Sequence, residues 1–150
     1  MKIYLDVCCL NRPFDDQNQN RIRLESEAIL LILSHIQSGE WQWISSEIVE
    51  DEIEQTPNLK RRERTHQLLS HAQITHVLTE VDIERARTLQ KNGVNGMDAL
   101  HLACAESSRV DIFLTTDDKL IKRATQIAKQ LQIVVDNPLQ WLVKQQENNR

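Results

Sequence analysis

NGMDALHLACAESSRVDIFLTTD, residues 95–117, is the stretch that decides the fold. Asn95 is a residue type that caps helices, and the apolar run that follows it predicts a helix to about Ser108. Residues 111–115 are rich in β-branched and aromatic side chains and predict a buried strand that ends just before Asp117. A helix that leads into a buried strand is the repeating unit of α/β proteins with a parallel sheet.

The rest of the chain repeats this alternation of short apolar runs and longer amphipathic ones. Strands are predicted at residues 2–7, 41–45, 74–78, 111–115 and 133–135. Helices are predicted at residues 21–38, 47–54, 59–72, 79–91, 96–108 and 117–130, and from Pro138 onward. In the helix at 79–91, Val81, Ala86 and Leu89 are expected to face inward. The Asn-Arg-Pro sequence at 11–13 predicts a turn. The pattern indicates an α/β protein with a mostly parallel sheet.

Composition limits the class of protein. The 150 residues fit one domain, 1–150, with an ordinary 40% hydrophobic and 27% charged content. No apolar run approaches the ~18–20 residues that a membrane span needs, and the first residues lack the features of a signal peptide, so we expect a cytoplasmic protein without a membrane partner. The net charge of −4 argues against a broad basic surface for nucleic acid. It does not argue against a nuclease, because a cation-binding carboxylate cluster is itself negative.

Two acids follow predicted strands. Asp6 lies near the carboxyl end of the first strand, and Asp117 comes just after the strand at 111–115. Ligands of open parallel sheets bind beyond the carboxyl ends of the strands, so these two carboxylates are expected to share one edge. Asp6 is the harder to explain structurally, because an acid in a buried strand lacks solvation. Asp117 could instead favour the N-terminus of the next helix, with Thr116 as its cap.

Two further acids have unusual surroundings. Asp98 opens an otherwise apolar helix, and Glu52 ends an acidic run that begins after the second strand. Each acid also has a purely structural explanation. Asp98 could stabilise the N-terminus of its helix by its negative charge, and Glu52 could be a solvated surface acid. A cluster of all four carboxylates would need compensating cations, and oxygen ligands suit Mg²⁺ or Mn²⁺, as one or two ions. Such a site can activate water and stabilise charge on a phosphate.

The order of these motifs resembles the PIN-domain family, whose best-known bacterial members are VapC-like toxins. The matching segments are Ile3-Tyr4-Leu5-Asp6, Ser46 with Glu52 six residues later, Met97-Asp98-Ala99-Leu100-His101-Leu102-Ala103, and Phe113-Leu114-Thr115-Thr116-Asp117. Glu50 competes with Glu52, and the spacing from Ser46 favours Glu52. The likeness extends from residue 2 to about 135.

The resemblance implies a three-layer α/β/α PIN-like fold around a central, mostly parallel sheet of four or five strands. It also implies a Mg²⁺- or Mn²⁺-dependent ribonuclease, in which Asp6, Glu52, Asp98 and Asp117 bind metal and position the water. Thr116 resembles the family's polar residue before the last acid and is expected to contact a ligand or water. Many members are toxins held by a cognate antitoxin, and many form homodimers. RNA, an antitoxin and a second copy of the chain are therefore the expected partners.

The chain departs from the family pattern at Cys8, where many members have Asn, Ser or Thr. A thiol is a weak hydrogen-bonding group, so the contact usually made from this position is in question. Asn11 and Arg12 are candidates for reaching the site or the RNA phosphates, although a turn is the favoured role of Asn11. A basic run at residues 60–64 fits phosphate contacts or ordinary solvated charge. For His101, a structural role is favoured over that of a base.

Two other functions are weighed against the ribonuclease. One is a phosphatase-like hydrolase with Asp6 as nucleophile, which is disfavoured because Cys8 stands where such enzymes carry a second aspartate. The other is a catalytically inactive PIN-fold module that binds RNA or protein, which is disfavoured because all four acids are present.

Overall fold

A five-stranded sheet, parallel throughout, forms the centre of the protein. The structure is a computed structural model, and it describes residues 1–148. The strands are β1 (Lys2–Leu5), β2 (Gln42–Ser46), β3 (Ile74–His76), β4 (Ile112–Leu114) and β5 (Val134–Asp136). Their order in the sheet is β3-β2-β1-β4-β5. Because all pairings are parallel, every strand ends at the same edge of the sheet.

Helices connect the strands and cover the sheet, which gives the expected three-layer α/β/α fold with five strands. The helices are α1 (Val7–Asn11), α2 (Asn20–Gln37), α3 (Glu47–Glu54), α4 (Leu59–Leu69), α5 (Glu80–Lys91), α6 (Gly96–Ser107), α7 (Asp118–Gln126) and α8 (Pro138–Asn148). Short 3-10 turns follow α1 (Arg12–Phe14) and α7 (Ala128–Gln130). None of the helices within residues 1–148 combines the length and apolarity needed to cross a membrane.

The centre of the sheet holds the core. Tyr4 of β1 pairs in register with Phe113 of β4, and their rings stack at 5.0 Å between centroids. Trp43 of β2 is fully buried. Ile3, Tyr4 and Leu5 of β1 are buried, because β2 and β4 flank the strand and helices cover the faces of the sheet, which explains why these three consecutive residues are all apolar or aromatic.

The first strand ends earlier than the sequence predicts. Residues 2–7 were expected to be extended, but β1 stops at Leu5 and Val7 begins α1, a helix that the sequence pattern does not indicate. Asp6 causes the change, because its carboxylate accepts a hydrogen bond from the Val7 amide at 2.8 Å and caps the helix. The predicted turn at residues 11–13 is instead the end of α1 and the start of the first 3-10 turn.

The inward face of α5 also differs from the prediction. Val81 was expected to face inward but is 74% exposed, whereas Asp82 is fully buried. Thr79 and Asp82 form a capping box, and Asp82 also accepts a hydrogen bond from His76 at 2.7 Å. These bonds turn Asp82 toward the protein together with Ala86 and Leu89, one and two turns later, and Val81 is rotated to the solvent side.

Candidate metal centre

Asp6 lies at the carboxyl end of β1 and is 7% exposed. One carboxylate oxygen accepts the Val7 amide, and the other accepts the Thr115 hydroxyl at 2.8 Å. Burial raises the pKa of the Asp6 carboxyl, an effect offset in part by the nearby His101 ring and the Thr115 hydrogen bond and reinforced by the charge of Glu52. An acid this buried is held by bonds from two different elements, so its position is well defined.

The strand β4 brings Asp117 to the same edge of the sheet. Thr115, two residues before Asp117, links the two acids. Its hydroxyl donates a hydrogen bond to the Asp6 carboxylate and accepts one from the backbone N–H of Asp117 at 3.2 Å. The Asp117 side chain caps α7 and accepts the Lys119 amide at 3.0 Å. Thr116 was considered as this cap, but the structure gives the role to Asp117 itself.

Cys8 packs into the same junction. Its sulfur lies 3.3 Å from the Thr115 hydroxyl and 3.6 Å from an Asp6 carboxylate oxygen, and it accepts the Thr116 amide at 3.3 Å. The thiol therefore contacts the residues around Asp6, despite being a weak hydrogen-bonding group.

Glu52 reaches the site from α3. Its Oε1 lies 2.8 Å from Nε2 of His101, which in turn lies 4.0 Å from Asp6 Oδ1. Asp6, Glu52 and His101 each place one potential metal-ligating atom within 4.8 Å of the other two. Glu50, the competing acid, lines a separate hollow with Glu54 and His66. The geometry therefore brings Glu52, and not Glu50, to Asp6.

His101 lies in a buried chain of hydrogen bonds. Its Nδ1 lies 2.7 Å from the Tyr4 hydroxyl, which lies 2.7 Å from the Ser46 hydroxyl. Burial raises the pKa of Tyr4 well above its usual value, so the phenol keeps its proton. One arrangement satisfies every partner when His101 is neutral: Ser46 donates to Tyr4, Tyr4 donates to Nδ1, and Nε2–H donates to Glu52.

Asp98 completes the cluster from the first turn of α6, which Asn95 caps as predicted. Burial and the negative charges of Asp6, Asp117 and Glu52 together raise the pKa of Asp98 to about 6, and the nearby His101 ring partly opposes this rise. These three charges act on Asp98 because all four acids lie at the same edge of the sheet. Asp98 and Asp117 also line one cavity of about 210 Å³.

The other candidate contact residues are engaged in structural bonds. Arg12 forms ion pairs with Glu25 at 2.9 Å and Asp15 at 3.2 Å. The Asn11 amide donates to the Val7 carbonyl and accepts from Arg61, each at 3.3 Å. The side chain of Thr116 is buried. Contacts of these three residues with RNA remain predictions.

The basic run at residues 60–64 is partly structural as well. Arg61 binds Asp15 at 2.7 Å and the Phe14 carbonyl at 2.9 Å, and the Arg64 guanidinium lies 5.8 Å from the centre of the Phe14 ring. These contacts tie α4 to the 3-10 turn after α1.

The sequence did not indicate the hydrogen bonds of Thr115, Tyr4 and Ser46 around the site. The structural role favoured for His101 agrees with its full burial, but its contact with Glu52 was not predicted. A signal for His101 was present, because a histidine on the apolar side of α6 three residues after Asp98 needs buried partners. No comparable signal marked Thr115 over Thr116, because β4 ends at Leu114 and the path of the chain beyond the strand decides which side chain faces Asp6.

Comparisons with known proteins agree with this architecture. A comparison with curated proteins found no match. Among solved structures, a similar chain occurs in VapBC2 of Rickettsia felis bound to a DNA fragment from its promoter. The TM-score is 0.56 and the sequence identity 15%, and the match covers 91% of this chain and 98% of that chain. VapBC-1 of nontypeable Haemophilus influenzae is similar, with a TM-score of 0.56, 16% identity and coverage of 92% and 98%. At these identities the likeness supports the fold alone.

The family model described as the PIN domain matches residues 3–126. The chain therefore belongs to the PIN-domain family.

Proposed function

We propose that this protein is a Mg²⁺- or Mn²⁺-dependent ribonuclease that hydrolyses RNA phosphodiester bonds. The observation that carries the proposal is the convergence of Asp6, Glu52, Asp98 and Asp117, from four separate elements, at one edge of the sheet. Burial and mutual repulsion raise the pKa values of Asp6 and Asp98, so the charged form of this cluster would be stabilised by a bound cation. Membership of the PIN family adds support.

The residues present fit a hard divalent ion. The four proposed ligands are carboxylates, which suit Mg²⁺ and Mn²⁺ better than softer metals. When bound, one or two such ions would activate water and neutralise charge on the phosphate. The chain itself positions the ligands. Thr115 holds Asp6 beside Asp117, and the N–H of His101 holds the Glu52 carboxylate.

We further propose that the protein is the toxin of a toxin–antitoxin pair, with a cognate antitoxin and a homodimeric state. The two similar solved structures are VapBC complexes, which supports a protein partner for this fold. Induced expression in a bacterial host should arrest growth in the wild type and not in Asp6→Asn. A small protein encoded in the neighbouring reading frame should restore growth. Light scattering after gel filtration tests the homodimer.

The enzymatic proposal is tested with a labelled single-stranded RNA and with Mn²⁺ titration by calorimetry. The wild type should cleave the RNA with Mn²⁺ or Mg²⁺ and lose all cleavage in EDTA. Asp6→Asn should abolish cleavage and weaken Mn²⁺ binding, because it removes a charged ligand from the centre of the cluster.

Matched controls test the choice of acid on α3. Glu52→Gln should weaken Mn²⁺ binding and cleavage strongly, whereas Glu50→Gln, on the same helix, should leave both unchanged. A wild type that binds Mn²⁺ without cutting RNA would instead support a catalytically inactive binding module. Equal effects of Glu50→Gln and Glu52→Gln would contradict the proposed ligand set.

A further inference from the structure

Two positively charged side chains lie beside the acidic cluster. The cavity of about 210 Å³ that contains Asp98 and Asp117 is also lined by Lys119 and Arg123 of α7. These residues are four apart, so they lie on one face of the helix with their Cβ atoms roughly 5–6 Å apart. A single small cavity therefore presents two carboxylates of the proposed metal site and two positive side chains.

Lys119 and Arg123 differ from the arginines that hold the structure together. Arg12, Arg21, Arg61 and Arg85 each bind a carboxylate. Among the described residues, neither Lys119 nor Arg123 forms a side-chain ion pair or hydrogen bond. Both are exposed, so both are available to an anion that enters the cavity.

The loop between α5 and α6 makes room for one of the cations. Gly93 has a φ of +93°, and a Cβ added there would lie 3.0 Å from Cζ of Arg123. The guanidinium therefore lies against the loop backbone, where an added Cβ would require the arginine side chain to shift by a few tenths of an ångström. This contact places Arg123 beside the cavity.

We propose that Lys119 and Arg123 bind a backbone phosphate of the RNA strand, next to the phosphate at the acidic cluster. This inference rests on the proposed ribonuclease function. An RNA strand that approaches four carboxylates is repelled, and one or two bound divalent ions at most neutralise these four charges, which leaves no net attraction for the adjacent phosphates. The adjacent phosphates therefore need positive charge from the protein. Lys119 and Arg123 supply it from the wall of the same cavity, and neither has a side-chain partner among the described residues. Contacts of this kind position the strand without reading its sequence.

The test is the affinity of a fluorescein-labelled single-stranded RNA, measured by anisotropy with Ca²⁺ in place of Mn²⁺ and with a gel to verify that the RNA stays intact. The double variant Lys119→Gln/Arg123→Gln should bind several-fold more weakly at low salt, to the same extent for RNAs of different sequence. In the double variant the slope of log Kd against log salt should fall by about 0.7, the value for the loss of one phosphate contact in a single strand. The midpoint of thermal unfolding should not change, since both side chains are exposed.

The control is Lys122→Gln, which removes one positive charge, as the single variant Lys119→Gln does, but from an exposed position of α7 that does not line the cavity. It should leave the affinity and the slope unchanged. If the wild type binds and cleaves RNA while the double variant keeps its affinity and slope, this proposal fails and the ribonuclease function stands. If Lys122→Gln has the same effect as the cavity variants, the contact is nonspecific and the proposal fails. If the wild type neither binds nor cleaves RNA, both proposals fail.

Discussion

At the scale of single residues, His101 has the most informative position. It is fully buried, and it connects the core hydroxyl of Tyr4 to the proposed ligand Glu52. Groups that hydrogen-bond to metal-ligating side chains hold them in place, and their loss typically costs about 10–100-fold in metal affinity. The geometry therefore makes His101 a positioning residue for Glu52.

Replacing His101 should separate this role from simple packing. We expect His101→Leu to weaken Mn²⁺ binding about tenfold or more, because Glu52 loses its donor. His101→Gln offers an amide N–H in place of Nε2–H and should recover most of the Mn²⁺ affinity. Calorimetric titration with Mn²⁺ measures both variants.

The control for this series is Leu102→Ala, at the next position of α6, where the side chain is also fully buried. This variant should lower stability by about 2–5 kcal/mol through a cavity, without a change in Mn²⁺ affinity of the folded protein. If Leu102→Ala weakens Mn²⁺ binding as much as His101→Leu does, His101 contributes only to the stability of the core.

At the scale of elements, Glu25 of α2 joins three segments. It is 1% exposed, pairs with Arg12 at 2.9 Å and with Arg21 at 3.3 Å, and accepts a hydrogen bond from Asn137 at 2.5 Å. Asn137 in turn caps α8 by accepting the Leu139 amide at 2.8 Å. The carboxylate thus ties the 3-10 turn after α1 and the start of α8 to α2.

Glu25→Gln is expected to destabilise the protein by about 3 kcal/mol, the lower end of the range for removing one member of a buried ion pair. We expect a loss of stability near this lower limit because Arg12 still pairs with Asp15, and Arg21 still pairs with Asp118. Urea unfolding measures the change. Glu27→Gln, at an exposed position of the same helix, should change stability by less than about 0.5 kcal/mol. A loss below about 1 kcal/mol in Glu25→Gln would show that the three segments are held mainly by apolar packing.

At the scale of the whole molecule, the acidic cluster should make stability depend on pH and on metal. The pKa of Asp98 is about 6 in the folded protein against 3.8 for the free group. The folded state therefore holds this proton more tightly than the unfolded state does. Ionisation of Asp98 consequently lowers the free energy of unfolding as the pH rises from about 4 to about 6, and this loss persists at higher pH.

Asp98→Asn should therefore make the metal-free protein more stable than the wild type at pH 7.5, with the difference shrinking toward pH 4. Mn²⁺ should raise the unfolding midpoint of the wild type more at pH 7.5 than at pH 5, because protonation of Asp98 removes a ligand charge. In Asp98→Asn most of this Mn²⁺ effect should be lost. Thermal unfolding across this pH range, with EDTA or Mn²⁺, measures these effects. A metal-free Asp98→Asn variant that is less stable than the wild type at pH 7.5 would contradict the assignment of Asp98 to a strained cluster.

Much of the architecture follows from local patterns. Five short runs of apolar and β-branched residues predicted five strands. The three central strands β1, β2 and β4 are largely buried under helices, whereas the edge strands β3 and β5 are partly exposed. The cap Asn95 was identified from residue type and position, since a side-chain oxygen at a helix start satisfies a free amide. Errors arose where a polar side chain changed the local path, as Asp6 does by starting α1 and Asp82 does by turning α5.

The sequence by itself determined the α/β class, the approximate elements and the family, because hydrophobic periodicity, capping and short motifs are local properties of the chain. It also named four candidate acids, with Glu50 as a competitor of Glu52. Only the tertiary structure decided that Glu52 rather than Glu50 reaches Asp6, that Thr115 rather than Thr116 supports it, and that His101 holds Glu52. These choices depend on contacts between residues 49 to 109 positions apart, which exist only once the parallel strands bring their carboxyl ends to one edge. The same packing places Lys119 and Arg123 in the cavity of Asp98 and Asp117.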